Sequence, residues 1–193
     1  MLEEIGIAYE HRDLEELEAG DKLVTVTRVN PIGKVPALED GDIRLFESMA
    51  INLYLAARYG GDLWPDEPGD QGRATAWSIW GMTETEPPLA QLFFERVIKK
   101  DKDTDEEAAA VQTLRRPLIA LESHLEKSKD ISGDYLLGRK FTVADLNLAS
   151  VLTLMNRAHF ELDDYPGIRA WRERCSDRDA YRKVYPARPV TEY

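Results

Sequence analysis

One cysteine in 193 residues leaves no material for an internal disulfide framework, and Cys175 alone fits a reducing compartment. Basic residues are also scarce, 25 Lys and Arg against 36 Asp and Glu, for a net charge of −11. So acidic a chain offers no face for neutralising phosphates, so neither nucleic acid nor an anionic membrane is an expected partner. No apolar run approaches the roughly 20 residues of a membrane span. The acidic opening Met1-Leu2-Glu3-Glu4 is unlike a signal peptide. A cytoplasmic protein is expected. His11, His124 and His159 show no metal-ligand spacing, so no metal site is expected either. What remains is ordinary for a globular chain: 43% hydrophobic residues, enough for one large or two small domains.

Two short stretches carry the chemistry. The first runs Asn30-Pro31-Ile32-Gly33-Lys34-Val35-Pro36-Ala37-Leu38, and the second Phe46-Glu47-Ser48-Met49-Ala50-Ile51. Between them Glu39-Asp40-Gly41-Asp42 reads as a tight turn on its Asp-Gly signal. Val35–Leu38 and Ile43–Phe46 then read as antiparallel strands. Glu47-Ser48 falls where strand becomes helix, so first-turn N–H groups point outward without partners. Such a helix start suits a carboxylate. A proline entering a strand marks an edge, a bulge or a cis bond and leaves the preceding backbone open to an outside peptide. Each residue alone also has a structural use: Pro36 shapes a strand and Ser48 caps a helix.

The order NPxGKVPxL, hairpin, ESxAIxxYL resembles the glutathione-binding half of the soluble glutathione transferases, of bacterial type. The resemblance implies that Val35-Pro36 is cis and pairs with the cysteinyl backbone of glutathione. Glu47 and Ser48 would hold the γ-glutamyl end, and Lys34 would neighbour the glycyl carboxylate. It also implies a catalytic Ser, Tyr or Cys in a turn after the family's first strand. This chain opens inside the following helix, with strand and turn missing, so the catalytic residue is left unknown. Either the true start lies upstream or the chain is a shortened relative with a rearranged sheet.

Along the rest of the chain, Met1–Ile5 reads as a helix stopped by Gly6, and Ala8–Arg12 as a short strand. Leu14–Glu18 is helix-like, whereas Val24–Thr27 prefers strand by propensity and helix by resemblance. A helix is expected from Ser48 to about Tyr59, with Ala50, Leu53, Tyr54 and Ala57 on one face. Residues 62–69 are Pro/Gly-rich and read as a linker. Beyond it the pattern is wholly helical. Asp70 to about Lys100 carries Trp77 and Trp80 on one face and a kink at Pro87-Pro88. Lys99–Glu107 reads as a solvated loop. Thr104-Asp105-Glu106-Glu107 matches a capping box, and the helix after it places Ala108, Val111, Leu114, Leu118, Leu121 and Leu125 on one stripe, with a bend at Pro117.

Tyr135–Leu146, with its YLLGxxFTVAD pattern, is a second family-like signature. Thr142 is the N-cap, Asp145 answers it, and Phe141 with Leu146 forms a staple. Leu146 to about Ala158 reads as one buried helix, Tyr165-Pro166-Gly167 as a turn, and Ile168–Cys175 as the start of another helix. Cys175 reads as packed rather than nucleophilic. Tyr185–Tyr193 reads as a tail.

The expected architecture is a truncated thioredoxin-like α/β domain over 1–61, a linker over 62–69 and an all-helical domain over 70–193. The expected function is conjugation of glutathione, as co-substrate, to an apolar electrophile by a homodimer. The alternative is a non-catalytic binding or protein-interaction module of the same fold. A weaker third reading is a glutathione-dependent isomerase or dehalogenase.

Overall fold

The computed structural model describes residues 1–14, 19–100, 104–131 and 133–185, apart from the side chains of 19, 20, 22, 23 and 129–131. Expectations for residues 15–18, 101–103, 132 and 186–193 fall outside it. The chain divides into two compact units, Met1–Gly61 and Asp62–Tyr193.

The first unit begins with α1 (Leu2–Ile5), closed by Gly6 at φ 75°, whose N–H returns to Leu2 O. Only a residue without a Cβ takes that left-handed position freely. Residues 8–12 form no strand. They are exposed, and their side chains find local partners: Tyr9 donates to Glu3 (2.8 Å) and Arg12 to Glu10 (2.9 Å). A strand needs a ladder partner, and the described strands pair only with each other. Val24–Thr27, strand by propensity, lies inside α2 (Ala19–Thr27), because burying Val26 outweighs a weak local preference.

Strands β1 (Ala37–Asp40) and β2 (Ile43–Phe46) pair from Ala37↔Phe46 to Asp40↔Ile43. The ladder therefore runs two residues further than expected. Glu39 and Asp40 are strand residues, Val35-Pro36 precedes the strand, and Gly41-Asp42 is the turn. Gly41 has φ 59° and Asp42 is not positive, the pattern of a II′ turn rather than an Asp-Gly I′ turn. Helix α3 (Ser48–Tyr59) packs on both strands and on α1. Its buried residues are Ile51, Leu55 and Ala56, while Ala50 and Ala57 are exposed. The expected face was rotated by one position, because an apolar residue is available on almost every side of this helix.

In the second unit, residues 62–69 are less of a linker than their composition suggests. Gly61–Leu63 forms a 3₁₀ turn that buries Leu63, and α4 (Pro68–Trp80) begins with proline in its first turn. Pro87-Pro88 does not break the run. A π turn at Gly81–Thr85 absorbs them, with the Glu86 N–H reaching Gly81 O, so that the prolines occupy the first turn of α5 (Glu86–Phe93). A second π segment runs Phe94–Lys99. Lys99 accordingly belongs to a helix and pairs with the buried Glu95 at 3.0 Å, not to a solvated loop. Helix α6 (Asp105–Ile131) buries Ala110, Leu114, Pro117, Leu118, Leu121 and Leu125; Ala108 and Val111 of the expected stripe are exposed. Thr104 Oγ1 accepts the Glu107 N–H at 3.0 Å.

Helix α7 (Val143–Val151) is buried almost all round. The apolar stretch is not one helix: Leu152, at ψ −3°, separates α7 from α8 (Thr153–Arg157). Pro166 and Gly167 are the first residues of α9 (Pro166–Ser176), not a turn before it. Short α10 (Asp179–Val184) follows. The core of this unit gathers Leu89, Leu92, Leu114, Leu118, Leu121 and Trp171 with Val143, Ala144 and Leu148 of α7, all fully buried.

Candidate functional site

The register of one hairpin brings the first two motifs together. Ala37↔Phe46 is the last pair at the end away from the turn. Val35-Pro36 and Glu47-Ser48 continue outward from that pair, eleven or more residues apart in sequence and adjacent in place. The Val35–Pro36 peptide is cis. Val35 is 62% exposed, and its backbone N–H and C=O have no hydrogen-bond partner among the described residues.

Glu47 sits at φ 69°, ψ 115°, a conformation an L residue enters only under strain. It turns the chain from β2 into α3, and its carbonyl takes the first helical bond, from Ile51 N–H at 3.0 Å. The amides of Ser48, Met49 and Ala50 therefore precede the first helical bond and have no acceptor in the helix. No side chain caps them, and the Ser48 hydroxyl has no hydrogen-bond partner among the described residues. Lys34 is exposed and forms no ion pair there. An open backbone edge thus adjoins a donor-rich helix start, which together suit a small peptide bearing a carboxylate.

Asn30 shapes this edge, a role not read from the sequence. It is 3% exposed; its Oδ1 accepts Ile32 N–H (3.0 Å) and its Nδ2 donates to Lys34 O (2.7 Å). Both arms of one amide thereby fold residues 30–34 in front of Pro36. The signal was available, since Asn before Pro is a side chain that builds turns. At the hairpin's other end Asp40 Oδ2 accepts from Tyr54 and Tyr59, each at 2.7 Å, with Arg58 Nε 3.5 Å away. Those hydroxyls, aided by Arg58, hold its carboxyl below the ordinary range.

Thr142 and Asp145 lie in the second unit as a separate cluster. Their reciprocal capping box is present. Asp145 also accepts Leu136 N–H (2.9 Å) and the Trp171 indole N–H (2.9 Å), a partner 26 residues away that spacing did not reveal. Phe141 stacks edge-on to Tyr135 and lies under the Arg178 guanidinium. Cys175 is buried, and burial pushes its thiol up, away from nucleophilic chemistry. Among the described residues no group of three or more His, Cys, Asp and Glu side chains could hold a metal, and no helix is long and apolar enough to cross a membrane.

Comparison with known proteins adds independent information. The family model described as "Glutathione S-transferase, N-terminal domain" matches residues 1–57, and "Glutathione S-transferase, C-terminal domain" matches 85–179. A protein of Hyoscyamus muticus named glutathione S-transferase is 34% identical, over 87% of this chain and 82% of its own. Glutathione S-transferase 1 of Triticum aestivum is 32% identical over 98% of this chain and 87% of its own. Among solved structures, the theta class glutathione S-transferase of Xanthomonas axonopodis pv. citri, with glutathione bound, superposes at a TM-score of 0.82. It is 28% identical, covering 97% of this chain and 89% of that one.

Proposed function

This chain belongs to the glutathione S-transferase family, and from that premise we propose that it binds glutathione and conjugates it to an electrophilic small molecule. It has the family's thioredoxin-like N-terminal domain with a small sheet, followed by a helical C-terminal domain. The observation that carries the site is the meeting of the Val35-Pro36 edge and the α3 start at one hairpin end. The cysteinyl backbone of glutathione pairs with Val35, and its γ-glutamyl carboxylate lies on the Ser48 hydroxyl and the first amides of α3. Glu47 accepts from the γ-glutamyl ammonium, and Lys34 faces the glycyl carboxylate. A carboxylate there gains charge-assisted hydrogen bonds from donors that have no other acceptor in the helix.

In the reaction the thiol of glutathione gives its proton to solvent, and the thiolate forms a C–S bond with the electrophilic carbon while the leaving group departs with its bonding pair, as chloride does from an activated aryl chloride. None of Lys34, Val35, Pro36, Glu47 or Ser48 is assigned to thiol activation; their part is binding and orientation. An apolar electrophile, a homodimer and a cytoplasmic location complete the proposal, the last supported by the single cysteine. The non-catalytic alternative is not favoured, because the relatives are named as transferases throughout their matched length.

Titration calorimetry tests the site. Ser48→Ala removes a donor to a charged group, so glutathione affinity falls about tenfold while the melting temperature stays within a few degrees. Unchanged affinity removes Ser48 from the site. Turnover of an activated aryl chloride with glutathione, monitored by absorbance, tests the chemistry separately.

A further inference from the structure

We propose that the second unit holds a second binding site, for a small organic monocarboxylate, in the cavity where Arg172 of α9 faces α7, α8 and α10. The cavity is about 200 Å³, and its walls include Ala149, Asn156, Leu162, Arg172, Glu173 and Tyr181. None of these belongs to the glutathione reading.

Among the described residues the Arg172 guanidinium is a charge without a counter-charge. Arg172 is half-buried, and desolvation lowers its guanidinium from its ordinary value. Its Nη2 donates to the Asn156 amide oxygen at 2.9 Å, and Nη1 approaches Met155 Sδ at 3.8 Å. Among the described residues no carboxylate lies within ion-pair distance of it. That is unusual in a chain with 36 acidic residues, where Arg96 takes Glu107 and Arg182 takes Asp179. A partly desolvated cation gains from a counter-charge, since desolvation is costly without compensation. A guanidinium has five N–H donors, so the two contacts leave a fork free for a planar two-oxygen acceptor. The half-buried Tyr181 hydroxyl on the same wall has no hydrogen-bond partner among the described residues and supplies a further donor.

The remaining walls select the ligand. Arg169, also at the cavity, is already engaged with Asp163 at 3.6 Å, so Arg172 is the wall cation that forms no ion pair among the described residues. Glu173 at the rim opposes a second negative charge, so a monoanion fits better than a phosphate dianion. Ala149 and Leu162 provide an apolar surface for a short hydrocarbon body.

Butyrate is the probe, added to the full chain, with butyramide, sodium chloride at equal ionic strength, and phosphate as comparisons. Butyrate raises the melting temperature saturably and shifts one arginine Nε–H resonance in a ¹⁵N spectrum; butyramide and chloride do neither. Arg172→Met abolishes the butyrate effect, leaves glutathione affinity unchanged, and does not lower the melting temperature without ligand, because it removes a partly desolvated charge that has no counter-charge among the described residues. Tyr181→Phe weakens butyrate binding several-fold. Equal shifts from butyramide, tighter binding of phosphate, or an undiminished butyrate effect in Arg172→Met overturns the proposal. Should Arg172→Met not fold, Arg172→Lys replaces it: retained but weaker butyrate binding supports the site, and binding equal to wild type refutes the need for the fork.

Discussion

Asp145 sets two carboxylate oxygens against four donors: Leu136 N–H, Thr142 N–H, the Thr142 hydroxyl and the Trp171 indole. Burial pushes its carboxyl above the ordinary range, and the four donors oppose that push. An amide at this position would point hydrogens of its own at some of those donors. Asp145→Asn is therefore expected to cost about 2–3 kcal/mol, read from the midpoint of urea unfolding. A loss under about 0.5 kcal/mol would mean that the cluster relaxes around the change. Glu47 presents the opposite case, a residue whose backbone costs stability where it stands. At φ 69° glycine is at ease, so Glu47→Gly is expected to raise stability by about 1 kcal/mol. The same variant should bind glutathione more weakly in calorimetry, as a strained residue kept for binding would.

At the scale of elements, the first unit is held by contacts between the hairpin and α3. Asp40 ties the end of β1 to Tyr54 and Tyr59 on α3. Its folded-state carboxyl titrates below its unfolded value, so this contribution is fully present above about pH 4. It is lost as pH falls through the lower, folded value. Asp40→Asn should therefore destabilise at pH 7 and converge with wild type on acidification below about pH 4, followed by chemical denaturation at each pH. A stability gap constant with pH would show that the Asp40 charge is immaterial. In the second unit α6 and α9 are tied by a carboxylate at a helix start: Glu122 accepts Gly167 N–H (2.6 Å) and Ile168 N–H (2.8 Å). A Cβ at Gly167 would stand 2.9 Å from the Glu122 carboxylate, which is why glycine follows Pro166 there. The π turn before Pro87-Pro88 is the same kind of adjustment, a widened turn that lets two prolines stay in a helical run.

At the scale of the molecule, the two units are unequally provided. Leu89, Leu92, Leu114, Leu118, Leu121, Leu148, Leu152, Met155, Ile168 and Trp171, all fully buried, belong to the second unit. Among the described residues of the first, the buried apolar ones are Val26, Ile51, Leu55 and Ala56. A fragment over 62–193 is expected to melt cooperatively by circular dichroism, and one over 1–61 to show no cooperative transition. A non-cooperative second fragment would show that its core is insufficient alone. What local chemistry decides was legible in the sequence: the Gly6 stop, the bounds of α3, the Thr142–Asp145 box, and the order of the Val35-Pro36 and Glu47-Ser48 motifs. The first three depend on residues within a few positions of one another, and the motif order is read directly along the chain, so spacing suffices. What depends on partners far along the chain was not legible. Residues 8–12 read as a strand until the ladder showed no partner for them, and the buried side of α3 followed from its neighbours rather than its periodicity. Nor does spacing tell that Trp171 completes the Asp145 cluster, or that Arg172 stands without a carboxylate among the described residues. The sequence by itself determined the Gly6 stop, the bounds of α3, the helix start at Thr142 and which residue types the hairpin carries. Tertiary structure decided which faces are covered, which charges are compensated and which motifs meet, because burial and pairing are properties of neighbours in space.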